Sequence, residues 1–153
     1  MADTMIRIPS LYTDLAGSMD ALRTDHRAVS DSRDIVNRAL GDGKAHYGIN
    51  TGFGVLANKR ISDEQLSELQ QNILLSHACG VGDPVPRDIT RLMLQLKIHA
   101  LGRGNSGISE ATFRQLLAFE KNDLISWVPS RGSVGASGDL APLAHLCLPL
   151  IGR

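Results

Sequence analysis

A glycine-rich stretch that runs directly into an apolar segment constrains this chain most. Glycines recur at every third position at 132, 135 and 138, so the backbone can bend there where a Cβ would clash. Asp139 can accept hydrogen bonds from the free N–H groups at the start of a helix. Pro142 fits a first helical turn, because its missing N–H is not needed there. The stretch therefore predicts a tight loop that ends at the positive end of a helix dipole.

The tripeptide Ala136-Ser137-Gly138 at the apex of this loop places a hydroxyl between two small residues. If the loop folds the Gly138 amide nitrogen onto the Ala136 carbonyl carbon, a five-membered ring can close with loss of water. Loss of the Ser137 hydroxyl then leaves an exocyclic methylidene. The product is a 4-methylidene-imidazol-5-one, which is a carbon electrophile. Amino-acid side chains lack such electrophiles, and enzymes usually obtain them by binding a cofactor. Most Ala-Ser-Gly tripeptides are ordinary turns, and from these residues alone that interpretation stays open.

Two other glycine-rich motifs fit the stretch poorly. A phosphate-binding loop requires a Lys after its last glycine, and none follows here. A nucleophile elbow requires Gly-x-Ser-x-Gly, whereas this chain reads Gly135-Ala136-Ser137-Gly138.

The stretch from Gly132 to His145 resembles the signature of the aromatic amino acid ammonia-lyases, in which Ala-Ser-Gly forms this electrophile. A second stretch, Tyr47-Gly48-Ile49-Asn50-Thr51-Gly52-Phe53-Gly54, is similar to the other hallmark of the family. The two occur in the family's order, and the similarity extends from about Leu11 to Arg153. The resemblance implies one N-terminal ammonia-lyase domain over residues 1–153, truncated so that the C-terminal helical part is absent.

Taken alone, the segment that begins at Tyr47 reads as a surface loop with Tyr47 and Phe53 tucked into the core. In the family, the matching tyrosine is held over the electrophile and acts in proton transfer. The resemblance therefore assigns a catalytic role to Tyr47. It also gives Asp139 a part in ring formation, beside its predicted role as a helix cap.

His77 lies on the apolar face of a predicted helix, at helical spacing from Leu66, Leu69 and Ile73. From the residues alone it reads as a core histidine with one hydrogen bond. In the family this helix lines the substrate pocket, and a pair like Ser76-His77 is typical of the histidine-specific branch. Tyrosine-specific members tend to place His one residue earlier, and phenylalanine-specific members carry apolar residues there. The resemblance thus implies that His77 binds substrate, since an imidazole can exchange a hydrogen bond with a histidine ring.

Composition restricts the class of protein. The chain has 153 residues, 42% of them hydrophobic and 21% charged, which is typical of a globular chain that buries a sizeable core. Lys+Arg and Asp+Glu are both 16, so net charge gives no argument for nucleic acid or a membrane surface. Cys79 and Cys147 form neither a metal-binding spacing nor a disulfide framework. They favour buried free thiols in a reducing cytosol.

Hydrophobic periodicity predicts an all-α fold with glycine-rich loops and little strand. Helices are predicted over Leu11 to Leu22 and after Ser30 or Asp31, Ser62, Pro86 and Ser109. The helix after Ser30 or Asp31 is expected to carry Ile35, Val36, Ala39 and Leu40 on one face and to end at Gly41-Asp42-Gly43, and the helix after Ser109 is expected to end at Asn122. The helix after Pro86 is expected to bury Ile89, Leu92, Met93, Leu96 and Ala100. Residues Asp123 to Arg131 are predicted to be irregular, with Trp127 and Pro129 anchoring the loop that carries Ser137.

The resemblance implies an ammonia-lyase that converts L-histidine to urocanate and ammonia. Its only cofactor would be the MIO ring (4-methylidene-imidazol-5-one), formed autocatalytically from Ala136, Ser137 and Gly138, with no metal and no nucleotide. It also implies a cytoplasmic homotetramer whose active sites mix subunits, with no nucleic-acid or membrane partner. The alternatives are a tyrosine- or phenylalanine-directed lyase, an aminomutase with the same electrophile, or a non-catalytic fragment. The chain alone is expected to be inactive.

Overall fold

The computed structural model describes residues 5–52 and 59–153. Over these residues the fold is all-α, as predicted, with a small sheet of two strands. The helices are α1 (Leu11–Thr24), α2 (Arg27–Gly41), α3 (Asp63–His77), α4 (Arg87–Gly102), α5 (Glu110–Lys121) and α6 (Leu140–Cys147). The strands are β1 (Val81–Pro84) and β2 (Pro129–Arg131). None of the described helices is long and apolar enough to cross a membrane.

The chain divides into two compact units. The first unit comprises Met1–Arg33 and Pro86–Ile125, and the second comprises Asp34–Val85 and Ser126–Arg153. In the first unit α4 packs against both α1 and α5. Its buried apolar side chains are Leu15, Met19, Leu22, Val29, Leu94, Ile98, Phe113, Leu116 and Leu117.

The predicted start and end of α5 are confirmed. Ser109 is the N-cap, and its hydroxyl accepts from the backbone N–H of Thr112 at 3.2 Å. This bond satisfies one of the donors that a helix start leaves unpaired. Asn122 is the C-cap, as the sequence predicts.

A buried carboxylate connects the three helices of the first unit. Glu120 on α5 has a side chain that is 3% exposed, and it accepts from Arg23 of α1. It also accepts from Arg91 at 3.4 Å and from Gln95 Nε2 at 2.9 Å, both on α4. A buried charge needs such partners, because taking it out of water without them is strongly unfavourable.

We expect Glu120→Ala to lower the free energy of unfolding by about 3 kcal/mol, because it empties a buried site and leaves two arginines without their shared partner. Chemical denaturation monitored by circular dichroism measures this change. The matched control is Asp20→Ala, which removes a 78% exposed carboxylate from the same Arg23. An exposed pair contributes less than about 1 kcal/mol. Equal effects of the two substitutions would contradict the network.

The start of α2 differs from the prediction. The helix expected to begin at Ser30 or Asp31 begins at Arg27. The Asp25 carboxylate accepts from the backbone N–H of Arg27 at 3.1 Å, so a donor of the first turn is satisfied earlier in the chain. Ile35, expected on the buried face, is 60% exposed.

The predicted face of α4 is also wrong. The buried residues of this helix include Thr90, Leu94 and Ile98, whereas Ile89 and Leu96 are exposed. Apolar residues surround most of α4, so their spacing fits more than one buried face.

The second unit contains the predicted site residues. Its helix α3 packs against α6, and β1 pairs with β2 in antiparallel register, with Val81 opposite Arg131 and Pro84 opposite Pro129. The segment expected to be irregular thus ends in a strand. This strand escapes prediction because both strands are short and carry proline, and β1 is exposed over its whole length. Trp127 does not anchor the segment, since it is 59% exposed, but Val128 and Pro129 are buried.

Candidate active site

The candidate electrophile lies in a tight turn between β2 and α6. Residues Gly135–Ser137 form one 3₁₀ turn, in which the Ser137 N–H donates to the Val134 carbonyl at 2.9 Å. The Gly138 N–H donates to the Gly135 carbonyl at 3.2 Å, and Gly138 has φ 85°. That left-handed backbone favours glycine, as the spacing of the glycines predicts.

This turn is compatible with ring closure between Gly138 and Ala136. The Gly138 amide nitrogen is folded back toward the preceding peptide units rather than pointing onward along the chain. No atom lies within 4 Å of the position that a Gly138 Cβ would take, so this backbone is unhindered. The Ser137 hydroxyl donates to the Val134 carbonyl at 2.7 Å, and the residues of the turn are exposed. The tripeptide is therefore accessible to solvent in this chain.

Asp139 corrects one prediction. It is the N-cap residue of α6, but its side chain makes no capping bond to the described backbone. Its φ of 56° turns the carboxylate away from the helix, and Oδ1 accepts from the Ser133 hydroxyl instead. Asp139 therefore ties the two ends of the loop together, while its backbone carbonyl starts the helix by accepting from the Leu143 N–H at 3.2 Å.

His77 is the last residue of α3 and is half-buried. Its Nδ1 lies 2.8 Å from the carbonyl oxygen of Ile73 and 3.1 Å from the hydroxyl oxygen of Ser76. A carbonyl oxygen can only accept, so Nδ1 carries the proton and donates to Ile73. In the neutral ring, Nε2 is then a hydrogen-bond acceptor.

The helix that carries His77 begins where the sequence predicts. Ser62 is its N-cap, and the Ser62 hydroxyl donates to Gln65 Oε1 at 3.3 Å. Leu66, Leu69 and Ile73, which share the predicted apolar face with His77, are all only half-buried.

Tyr47 lies in a turn organised by a buried asparagine. Asn50 is fully buried, accepts from the backbone N–H of His46 at 2.7 Å and donates to the carbonyl of Lys44 at 2.8 Å. Its own carbonyl accepts from the Ile61 N–H at 2.8 Å. The Tyr47 side chain is 65% exposed, so the interpretation that it is tucked into the core is wrong. Phe53 and Gly54 of the same stretch lie outside the described residues.

Two of the three candidate positions lie on or next to helices that pack together. His77 is on α3, and the Ala136–Gly138 turn leads into α6, which packs on α3. Tyr47 belongs to neither of these packed elements. Among the described residues, no three His, Cys, Asp or Glu side chains are grouped to hold a metal ion.

Sequence reasoning misses the contact that His145 makes. Nε2 of His145 accepts from the backbone N–H of Gly80 at 3.0 Å. The two positions are 65 residues apart, and no local pattern in the sequence links them.

One depression of about 550 Å³ lies in the first unit. It contains none of the predicted site residues, and its lining is Thr24, Asp25, His26, Arg27, Ser30, Glu110 and Arg114.

Comparison with known proteins yields one family. Residues 18–153 match the family described as "Aromatic amino acid lyase". The histidine ammonia-lyase of Anaeromyxobacter dehalogenans is 55% identical over 124 residues, which are 81% of this chain and 24% of that protein. The histidine ammonia-lyase structure from Trypanosoma cruzi aligns with a TM-score of 0.74 at 33% identity, over 84% of this chain and 25% of that one. Phenylalanine aminomutase of Pantoea agglomerans aligns with a TM-score of 0.77 at 30% identity, over 91% of this chain and 28% of that one. The chain thus spans about a quarter of the length of these proteins.

Proposed function

The chain belongs to the aromatic amino acid lyase family, and on that premise we propose that it is the electrophile-bearing N-terminal part of a histidine ammonia-lyase. Such an enzyme removes ammonia from L-histidine without oxidation and releases urocanate. The observation that carries the proposal is the turn at Ala136–Gly138, in which the Gly138 N–H bonds back to Gly135. The relatives named histidine ammonia-lyase support histidine as the substrate.

Ring formation needs only atoms of this chain. The Gly138 nitrogen bonds to the Ala136 carbonyl carbon, and the carbonyl oxygen leaves as one water with the amide hydrogens of Gly138 and Ser137, so that the Ala136 carbon becomes double-bonded to the Ser137 nitrogen. The Ser137 hydroxyl leaves with the Cα hydrogen as a second water, which creates the methylidene. When formed, the ring supplies a carbon electrophile that makes the substrate's amino group a better leaving group.

The surrounding residues have separate roles in the proposal. Ser133 and Asp139 hold the ends of the loop, and Asp139 is the candidate to assist ring formation. Tyr47 is the candidate for proton transfer at the substrate β-carbon, where a positioned side chain must act on an unactivated proton. The exposure of the Tyr47 ring is consistent with a group that meets a substrate.

His77 is the proposed specificity residue. With its Nδ1–H donated to Ile73, the ring offers an acceptor at Nε2. An imidazole substrate can donate its N–H to this acceptor, whereas a phenylalanine ring has no donor. A phenol could also donate, so preference for histidine over tyrosine rests on the relatives rather than on this contact.

We expect His77→Leu to lower kcat/KM for histidine by about tenfold to a hundredfold, since a lost hydrogen bond to a polar group is worth about 1–3 kcal/mol. The measurement is urocanate absorbance with enzyme expressed from the complete gene. His77→Gln is the matched control, because a side-chain amide oxygen keeps an acceptor, and it should lose less. Undiminished histidine turnover in the Leu variant would make His77 a structural residue and remove the contact that supports histidine.

Initial rates with histidine, tyrosine and phenylalanine test the function as a whole. Fastest turnover of histidine, with urocanate as product, supports the proposal. A β-amino acid product would instead identify an aminomutase, the alternative favoured by the similarity to the Pantoea agglomerans structure. The activity is proposed for a polypeptide of the relatives' length. We expect the 153-residue chain alone to be inactive, because none of its described residues is assigned to bind the substrate carboxylate.

The remaining expectations belong to the same proposal. The partners are a small amino acid substrate and further copies of the enzyme in a homotetramer. A cytoplasmic setting is supported by Cys79 and Cys147, which form no disulfide with each other, although Cys79 is exposed and Cys147 half-buried, so the prediction that they are buried is wrong. The balance of 16 basic and 16 acidic residues supports the absence of nucleic-acid and membrane partners.

A further inference from the structure

Gly80 lies where the segment after α3 meets the segments on either side of the candidate loop. A Cβ at this position would be 3.1 Å from the carbonyl oxygen of Arg131 and 3.2 Å from the Cβ of Pro129, both on β2. It would also be 3.2 Å from Nε2 of His145 on α6. Such separations are tighter than ordinary carbon contacts. A side chain with a Cβ here would require these neighbours to move by a few tenths of an ångström, so glycine suits the close approach of the three segments.

The first residue of the loop completes this contact. A Cβ on Gly132 would be 3.0 Å from the Cα of Gly80 and 3.5 Å from the Cβ of Ala141. Gly132 also has a φ of 149°, and the neighbouring pair Val81 and Arg131 are in register in the sheet. The backbone of Gly80, three residues after His77, therefore contacts the backbone of Gly132, four residues before Ala136.

The His145 side chain joins these segments by one hydrogen bond. The Gly80 N–H donates to Nε2 at 3.0 Å, so Nε2 must be unprotonated and the ring neutral, with its proton on Nδ1. Burial lowers the pKa of His145, which favours that neutral form. Because β1 begins only at Val81, this imidazole is the partner that satisfies the Gly80 N–H at the strand start.

We propose that His145 is a positioning residue for the lyase reaction: through Gly80 it fixes the end of α3, which carries His77, against both ends of the loop that carries Ala136–Gly138. This inference rests on the proposed function. His145 acts through the backbone, and it is not assigned a contact with substrate. The helix α6 therefore positions the loop in two ways. It begins directly after the loop, and its His145 side chain holds the segment at Gly80.

Hydrogen exchange tests the contact without reference to activity. Enzyme from the complete gene is compared with His145→Leu, which has no acceptor, and His145→Gln, whose amide oxygen can accept from Gly80. In a peptide spanning residues 78–84, the Gly80 amide should exchange at least about tenfold faster in the Leu variant, because a protecting bond of about 1.4 kcal/mol is lost. The Gln variant should retain the slow exchange. Equal exchange in all three proteins overturns the contact.

Steady-state kinetics tests the positioning role. We expect His145→Leu to lower kcat for histidine by about tenfold with a smaller change in KM, because misplacement affects the reacting geometry more than binding. His145→Gln should restore kcat to within about threefold of the parent. A structural role alone would lower the fraction of folded enzyme and leave kcat per folded active site unchanged, so an unchanged kcat per folded site in the Leu variant would overturn the proposal. If the parent turns over no histidine, the proposed function fails, and the exchange experiment still decides whether His145 holds Gly80.

Discussion

Ser137→Ala should abolish ring formation and reduce lyase turnover by about a thousandfold or more, as removal of a central covalent group does in other enzymes. The physical reason is that only the Ser137 hydroxyl can leave to create the methylidene carbon. Without that hydroxyl, Gly138 can still condense with Ala136, so at most one water is lost. The intact mass of the variant and its near-ultraviolet absorbance, where peptides do not absorb, report the missing electrophile.

A matched control exists within the same loop. Ser133 carries the same hydroxyl, but it donates to Asp139 and has no place in the ring. Ser133→Ala should therefore keep the loss of two waters, while loosening the loop. The fold should survive both substitutions, since Ser133 and Ser137 are exposed. Two waters lost from the Ser137 variant would show that another residue supplies the methylidene.

Gly104→Ala should strongly destabilise the first unit. Gly104 has φ 73°, a left-handed conformation that disfavours a residue with Cβ by about 1–2 kcal/mol. The added Cβ would lie 2.3 Å from the backbone oxygen of Ala28, a position that no rotamer change relieves. Overpacking of this kind adds about 1–3 kcal/mol. We expect a loss of about 3 kcal/mol or more in the free energy of unfolding, measured by urea denaturation.

Two other glycines of the first unit provide the comparison. Gly17 lies in α1 with open space around it, so Gly17→Ala should stabilise the helix by about 0.5–1 kcal/mol. Gly102→Ala would meet the Leu22 side chain at 2.5 Å, which can move, so its effect should fall between the other two. A Gly104 variant as stable as the Gly17 variant would contradict the close approach at Ala28.

Helix positions were predictable where local chemistry decides them. The cap at Ser109, the start after Ser62 and the end at Gly41 all follow from side-chain and glycine preferences near the helix ends. The buried face of α4 was not predictable from the sequence, because apolar side chains surround most of that helix. Only tertiary packing selects Leu94 and Ile98 for burial. The short strands were missed because their pairing joins segments far apart in sequence.

In the candidate site, too, features set by local sequence were predictable and features set by tertiary packing were not. Glycine spacing predicts the bend at Ala136–Gly138, since Gly138 has a left-handed backbone that few other residues adopt. The role of Asp139 as a side-chain cap was wrong, because its backbone also takes a positive φ and turns the carboxylate to Ser133. The bond between Gly80 and His145 has no sequence signal, since it depends on tertiary packing alone. The roles of Tyr47 and His77 come from family resemblance and stay predictions.

The mass of one tryptic peptide tests the central claim most directly. Trypsin cleaves after Arg131 and Arg153, and no Lys or Arg lies between them, so the peptide Gly132–Arg153 carries the whole candidate loop. It should be taken from protein purified from the cells that make it. The proposal predicts a mass lower than that of the encoded peptide by two waters, with fragmentation placing the loss at Ala136, Ser137 and Gly138. A peptide with its full encoded mass would contradict the claim that this loop becomes the electrophile.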